Sequence, residues 1–188
     1  RRIYNQGGLV SVANKIFEVC LRLVRSISRS IYFKVTPSGS FVFNGAKLNY
    51  FRHNYNLAYE NERTIEVSIA EQFLHSQKAG MKILEVGNVL MNYGFIDARR
   101  DVLDKYDTAS HIINEDVICF KPKEKYDAII SISTLEHVGW DEPIRDPFKI
   151  VAAIKNLSDN CLCSGGSMLV TLPLGYNTYF DNYLEEGV

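Results

Sequence analysis

The sequence predicts an α/β domain on a mostly parallel, doubly wound sheet, preceded by an amino-terminal helix and β-hairpin extension. Three observations carry this. Short apolar runs recur at 83–86, interrupted only by Glu85, and without any charge at 128–132 and 168–172, and such runs suit strands buried on both faces of a parallel sheet. Stretches of helical periodicity separate them, giving the strand–helix–strand alternation of right-handed crossovers. Upstream the pattern changes to one long amphipathic helix followed by an Asn-Gly hairpin signal.

The helix comes first. Between residues 9 and 31 the apolar positions Leu9, Val12, Ile16, Cys20, Leu23, Ile27 and Ile31 recur at three- and four-residue steps, while Lys15, Glu18, Arg22, Arg25 and Arg29 form a mostly basic stripe. Two readings stand for it: a helix packed on its own domain with its basic side in solvent, or one lying on an anionic membrane surface or a partner. After Pro37 and Gly39, Asn44-Gly45 separates two β-prone runs and predicts a hairpin. An aromatic-rich stretch leads to Asn61, an expected N-cap with Glu62 in the first turn, and to a helix stopping near Gly80. A further helix is expected at 146–157, with Ile150, Val151, Ile154 and Leu157 on one side.

Composition sets limits on function. The chain has 188 residues, 46% of them apolar, enough to bury one substantial core. Its net charge of −1 conceals an asymmetry, since residues 1–60 hold nine Lys/Arg against two Asp/Glu and the remainder twelve against twenty. We therefore divide the chain into an extension, 1–60, and a ligand-binding domain, 61–188. The acidic body repels phosphates, which makes nucleic acid an unlikely partner. Cys20, Cys119, Cys161 and Cys163 lack disulfide or zinc spacing, so we expect buried or free thiols, no metal site and a reducing cytoplasm. No run of about 18 uncharged apolar residues is present to span a bilayer. The sequence starts at Arg1 without an initiator Met and stops at Val188 inside apparent structure, as a piece of something longer would.

Chemistry enters at "KILEVGNVL", where Glu85, Val86 and Gly87 close the first strand of the sheet. In doubly wound sheets ligands sit outside the carboxyl ends of strands, and a glycine there lets the backbone bend sharply. A dinucleotide site needs further glycines, but Asn88, Val89, Leu90, Met91 and Asn92 follow, and no P-loop pattern occurs. Nineteen residues beyond Glu85, "RDVLDKYD" places Asp104 at the end of a short apolar step. A carboxylate there either accepts hydrogen bonds from a ribose diol or caps a strand end at the surface.

Further on, "INEDVICF" sets Asp116 before an apolar pair, "YDAIISISTLEHV" follows, and "SGGSMLVTLPLG" closes the series. Over residues 82–177 these resemble the successive motifs of class I S-adenosylmethionine-dependent methyltransferases, most specifically through Asp127 and Leu135, Glu136, His137 and Val138. The resemblance implies a Rossmann-like sheet of order 3-2-1-4-5, with Gly165 and Gly166 in the turn entering strand five. It implies S-adenosylmethionine as cofactor, with Glu85, Gly87 and Asn88 at its methionine end and Asp104 on the ribose. Asp116 and Val117 would meet the adenine, and Ser133 and Thr134 would border the sulfonium. Glu136 and His137 would lie on the acceptor side.

The chain departs from that family's pattern at three points. Val89 replaces a second glycine; only eleven residues separate Asp104 from Asp116, so the second crossover must be trimmed; and the usual closing antiparallel pair has no residues left to form it.

Methyl transfer needs orientation more than a nucleophile, since the cofactor brings the reactive carbon. For a hydroxyl acceptor a base helps, and His137 is placed to serve, or else to order its loop. Trp140 either stacks on the acceptor or anchors the loop, and Arg63 and Tyr55 are candidate acceptor-binding residues. The expected activity is methyl transfer to a small-molecule or glycan-type acceptor. The alternative is an inactive methyltransferase-like binding or scaffold protein, with helix 9–31 as its route to a peripheral place on a membrane. Nothing in the pattern specifies an oligomer.

Overall fold

A computed structural model describes residues 7–187 of the chain. Two compact units emerge, Arg1–Thr64 and Ile65–Val188.

In the first unit, helix α1 runs over Gly7–Val35. It is held through Ser26, Arg29, Ser30 and Phe33. Asn54 donates to the Ser26 carbonyl at 2.9 Å and to Ser30 Oγ at 2.6 Å, Arg52 donates to the Phe33 carbonyl at 2.8 Å, and Arg29 donates to the Tyr59 hydroxyl. The apolar stripe takes no part in this: Val12, Ile16, Leu23, Ile27 and Ile31 are exposed. Packing of that stripe on its own domain, the first reading of the helix, therefore does not hold, because a neighbouring polar stripe makes the contacts. Strands β1 (Ser40–Phe43) and β2 (Ala46–Asn49) form the expected antiparallel hairpin. Asn44 and Gly45 sit at φ 48° and 79°, left-handed as a type I′ turn requires. Helix α2 spans Arg63–Ser76, with the Asn61 side chain accepting from the Arg63 amide at 3.2 Å.

The second unit holds a five-stranded sheet of β3 (Ile83–Val86), β4 (Arg100–Leu103), β5 (Ile112–Ile113), β6 (Tyr126–Ile132) and β7 (Leu162–Thr171). The order is β5-β4-β3-β6-β7, and within this sheet every pairing of described residues is parallel. Counted from the first strand of the sheet this is 3-2-1-4-5, the Rossmann-like order predicted. Successive residues of a strand face opposite ways, so a charge-free run means two covered faces. On one face Ala70 and Leu74 of α2 pack with Ile83, Ala128, Ile130 and Ile132. On the other, Ile150 and Ala153 of α3 (Lys149–Asn156) and Phe180 of α4 (Thr178–Glu185) join a cluster with Leu84, Val86, Leu103 and Ile129.

Two local expectations are corrected, at Gly165-Gly166 and at the start of α3, and the trimmed crossover after Asp104 is present as expected. Gly165 and Gly166 do not form a turn entering β7; they lie inside it, in a bulge where the register jumps from Tyr126↔Leu162 to Ala128↔Ser167. Gly165 is left-handed at φ 79°, and a Cβ on Gly166 would meet the Asp127 carbonyl at 2.8 Å, so the pair is required by the bulge. Helix α3 starts at Lys149 rather than at 146, because the Asp146 carboxylate accepts from the Phe148 amide at 3.1 Å and closes a turn first. The stretch from β4 to β5 contains no helix and is held by Asn114, whose side chain donates to the carbonyls of Asp104, Lys105 and Asp107 at 3.1, 2.8 and 3.1 Å.

Candidate functional site

The switch point of the sheet lies where β4 leaves β3 on one side and β6 on the other. A cavity of about 580 Å³ opens there, lined by Val86 and Gly87 after β3, residues 103–107 after β4, Glu115, Asp116 and Val117 after β5, and Thr134, His137, Val138, Asp141 and Glu142 after β6. All of these belong to the second unit.

Gly87 bends the chain at φ 87°, and an added Cβ would stand 2.3 Å from Thr134 Oγ1. The loop beyond it is drawn tight from beneath. Glu85 is buried, forms an ion pair with Arg100 at 2.8 Å, and accepts the amides of Val89 at 2.9 Å and Leu90 at 2.7 Å. Val89 itself sits at φ −98°, a conformation open to any residue. Burial pushes the Glu85 carboxyl above its ordinary value, opposed by Arg100 and the Leu90 and Val89 amides. Asn88 joins two loops, its amide reaching Asp104 Oδ2 at 3.3 Å and its side chain donating to Asp107 at 2.9 Å.

Asp104 lines the cavity. Its Oδ1 accepts the amides of Tyr106 at 2.8 Å and Asp107 at 2.9 Å, which leaves Oδ2 with only the Asn88 contact and a lone pair to spare. Asp116 stands across from it, gripped by Lys105 at 2.8 Å and Lys149 at 3.1 Å. Glu142 closes the quartet, 3.0 Å from Lys105 and 2.7 Å from Lys149. Burial opposes ionisation of Asp116, but Lys105, the Ile118 amide and Lys149 outweigh it and hold the carboxyl below its ordinary value. Lys149 and then Lys105 hold Glu142 low in the same way.

Beyond β6, Ser133 is buried with a left-handed φ of 37° and donates to Glu66 Oε1 at 2.7 Å. Its neighbour Thr134 faces the cavity. His137 meets Asp141 Oδ2 through Nδ1 at 2.6 Å, and the Tyr176 hydroxyl donates to the same oxygen at 2.6 Å. The Tyr176 ring stands edge-on to the imidazole at 4.7 Å, and Nε2 lies 3.7 Å from the buried Glu136 carboxylate. Tyr176, then His137, holds the Asp141 carboxyl below its ordinary value, and Asp141 in turn pushes the Tyr176 hydroxyl up to about 12.

Of the residues singled out in the sequence, Gly87, Asp104, Asp116, Val117, Thr134 and His137 share the cavity wall. Glu85, Asn88, Ser133 and Glu136 stand one layer behind it, supporting the loops. Trp140 lies outside the lining, with the Arg145 guanidinium 4.5 Å over its ring and Tyr179 at 6.0 Å. Tyr55, exposed, and Arg63, buried, belong to the first unit. Sequence reasoning missed Lys105, Lys149 and Tyr176, and assigned no role to Asp141 or Glu142. The one available signal was the acidic "WDEP" stretch beside His137.

Fold and cavity together define a Rossmann-like α/β unit with an open cavity at its switch point. No known protein-family profile matches the chain, and no curated protein matches it in sequence. Among solved structures it is similar to the sugar N-methyltransferase KedS8 from Streptoalloteichus sp ATCC 53650, at 13% identity and a TM-score of 0.41, over 74% of this chain and 60% of that one.

Proposed function

We propose that the chain binds S-adenosylmethionine in this cavity and transfers its methyl group to a small-molecule or glycan-type acceptor. The observation that carries the reading is the charge of the lining: Asp104, Asp107, Glu115, Asp116, Asp141 and Glu142 face it, and Lys105 with Lys149 behind the wall offsets Asp116 and Glu142 but not the other four. Such a rim favours a sulfonium cation with an α-ammonium group and repels the pyrophosphate of a dinucleotide. The remaining features fit the same ligand. Asp104 Oδ2 has capacity for a ribose hydroxyl, Leu103, Val117 and Val138 offer apolar walls for adenine, and about 580 Å³ suits a molecule of that size.

When bound, the cofactor supplies an electrophilic methyl group; the chain binds, orients and moves a proton. Donation from His137 Nδ1 to Asp141 leaves the Nε2 lone pair to take the proton of an acceptor hydroxyl. Asp141, steadied by Tyr176, fixes the orientation of the ring from one side, with the Glu136 carboxylate 3.7 Å from Nε2 on the other.

Calorimetric titration with S-adenosylmethionine tests the binding. Saturable heat is expected, with affinity at least tenfold lower in Asp104→Ala; no heat at millimolar ligand defeats the proposal. The grip of both lysines on Asp116 favours a second reading, a methyltransferase-like binding or scaffold protein without turnover. Transfer of labelled methyl into acceptor fractions separates the two. Under the first reading His137→Gln keeps affinity and loses roughly 10²-fold in rate; under the second neither chain transfers label.

A further inference from the structure

We infer that α1 (Gly7–Val35) docks the chain flat on an anionic membrane surface, an inference independent of the cavity. Val12, Ile16, Val19, Leu23, Ile27 and Ile31 are 54–61% exposed along one side of this helix, and exposed Phe17 and Val24 widen the stripe. At 3.6 residues per turn these positions sweep about 160° of arc, and 29 residues make a helix about 43 Å long. Solvation of so much apolar surface is costly, and the helix's own unit does not cover it, since Ser26, Arg29, Ser30 and Phe33 make the contacts with Asn54, Arg52 and Tyr59.

Three features decide the occupant. The polar side carries Lys15, Arg22, Arg25 and Arg29 against Glu18 alone, with Lys15 and Arg22 about 40° and 60° beyond one edge of the apolar arc and Arg25 about 80° beyond the other. Long basic side chains so placed give the helix a positive field towards lipid phosphates while the stripe enters the acyl boundary. No described helix is long and apolar enough to cross a membrane, so the helix lies in the interface plane. A second copy of the chain fits less well, because a coiled-coil seam is narrow and repeats every seven residues. Here the repeat through Ile16, Val19 and Leu23 runs into Ser26 and Ser30, both already bonded to Asn54.

Sedimentation of the full chain with vesicles of phosphatidylcholine alone, and of phosphatidylcholine with phosphatidylglycerol, tests the inference. Binding is expected on the mixed vesicles only, falling with added salt and about fivefold for each of Arg22→Gln and Arg25→Gln. Ile16→Glu with Ile27→Glu abolishes it while circular dichroism keeps the helical signal. As a readout that leaves the stripe apolar, Leu23→Trp shifts its emission to the blue on mixed vesicles. No sedimentation with anionic vesicles overturns the inference, as does binding indifferent to all these substitutions. It also fails if the same substitutions dissolve a dimer, or release a bound acidic protein, without touching vesicle binding.

Discussion

Gly87 and Thr134 come within contact of each other because two parallel strands end side by side, so each limits what the other can be. Alanine at 87 meets two obstacles, a left-handed backbone at φ 87° and Thr134 Oγ1 at 2.3 Å. Gly87→Ala should lose about 2–4 kcal/mol in urea unfolding. Adding Thr134→Ala should restore the steric part and leave the backbone part; a double variant no more stable than the single one means the clash was not a cause. The His137 dyad is a second residue-scale case. The Tyr176 hydroxyl is the main influence holding the Asp141 carboxyl low, so Tyr176→Phe should move its titration up towards the ordinary 3.8, followed by carboxyl-carbon NMR. An unmoved titration removes Tyr176 from the account of the dyad. His137 itself was legible in a motif. Asp141 and Tyr176 were not legible as a pair, since 35 positions separate them and only the fold makes them neighbours.

Elements were legible where burial dictated composition. β3 and β6 are enclosed on both faces and therefore read as apolar runs, the half-buried later part of β7 reads the same way, and Asn44-Gly45 announced the hairpin through backbone chemistry alone. β5 has two residues, Ile112–Ile113, too few for any period. Gly165-Gly166 resembled a turn because a bulge makes the same demand on the backbone. The quartet of Lys105, Asp116, Glu142 and Lys149 was illegible for another reason: it joins the loops after β4, β5 and β6 to the start of α3, and no local pattern encodes it. Its pH response follows from the two depressed carboxyls. A carboxyl lower in the folded than in the unfolded chain stabilises the fold above its ordinary value and ceases to do so as pH falls through the folded one. The quartet should therefore hold at neutral pH and weaken below the ordinary 3.8 of Asp116 and 4.5 of Glu142. Asp116→Asn with Glu142→Gln should flatten the acid limb of a stability-against-pH curve; an unchanged limb means other carboxyls govern acid unfolding.

At the scale of the whole molecule, the sequence showed a division of labour in its charge before any fold was known, a basic amino-terminal third and an acidic body. The body's stability rests on a charge set inside the first of the sheet's apolar runs. Glu85 and Arg100 face each other between adjacent central strands, their side chains 1% and 4% exposed. Removing one partner of a buried pair costs about 3–5 kcal/mol, because the other charge is left uncompensated. Arg100→Met should lose that much at neutral pH. The loss should also depend on pH in a defined sense. Burial already raises the Glu85 carboxyl above its ordinary 4.5, so the stability linked to its protonation is complete below that value and is given up as pH rises through the folded one. Without Arg100 the folded value climbs further, and the loss should shrink as pH is lowered and Glu85 takes a proton. Glu85→Gln added to Arg100→Met should recover most of the stability at neutral pH, since an amide oxygen still accepts from Val89 and Leu90. Urea midpoints measured across pH decide the matter: a loss of constant size, or a double variant as weak as the single one, assigns the destabilisation to lost packing rather than to a stranded charge.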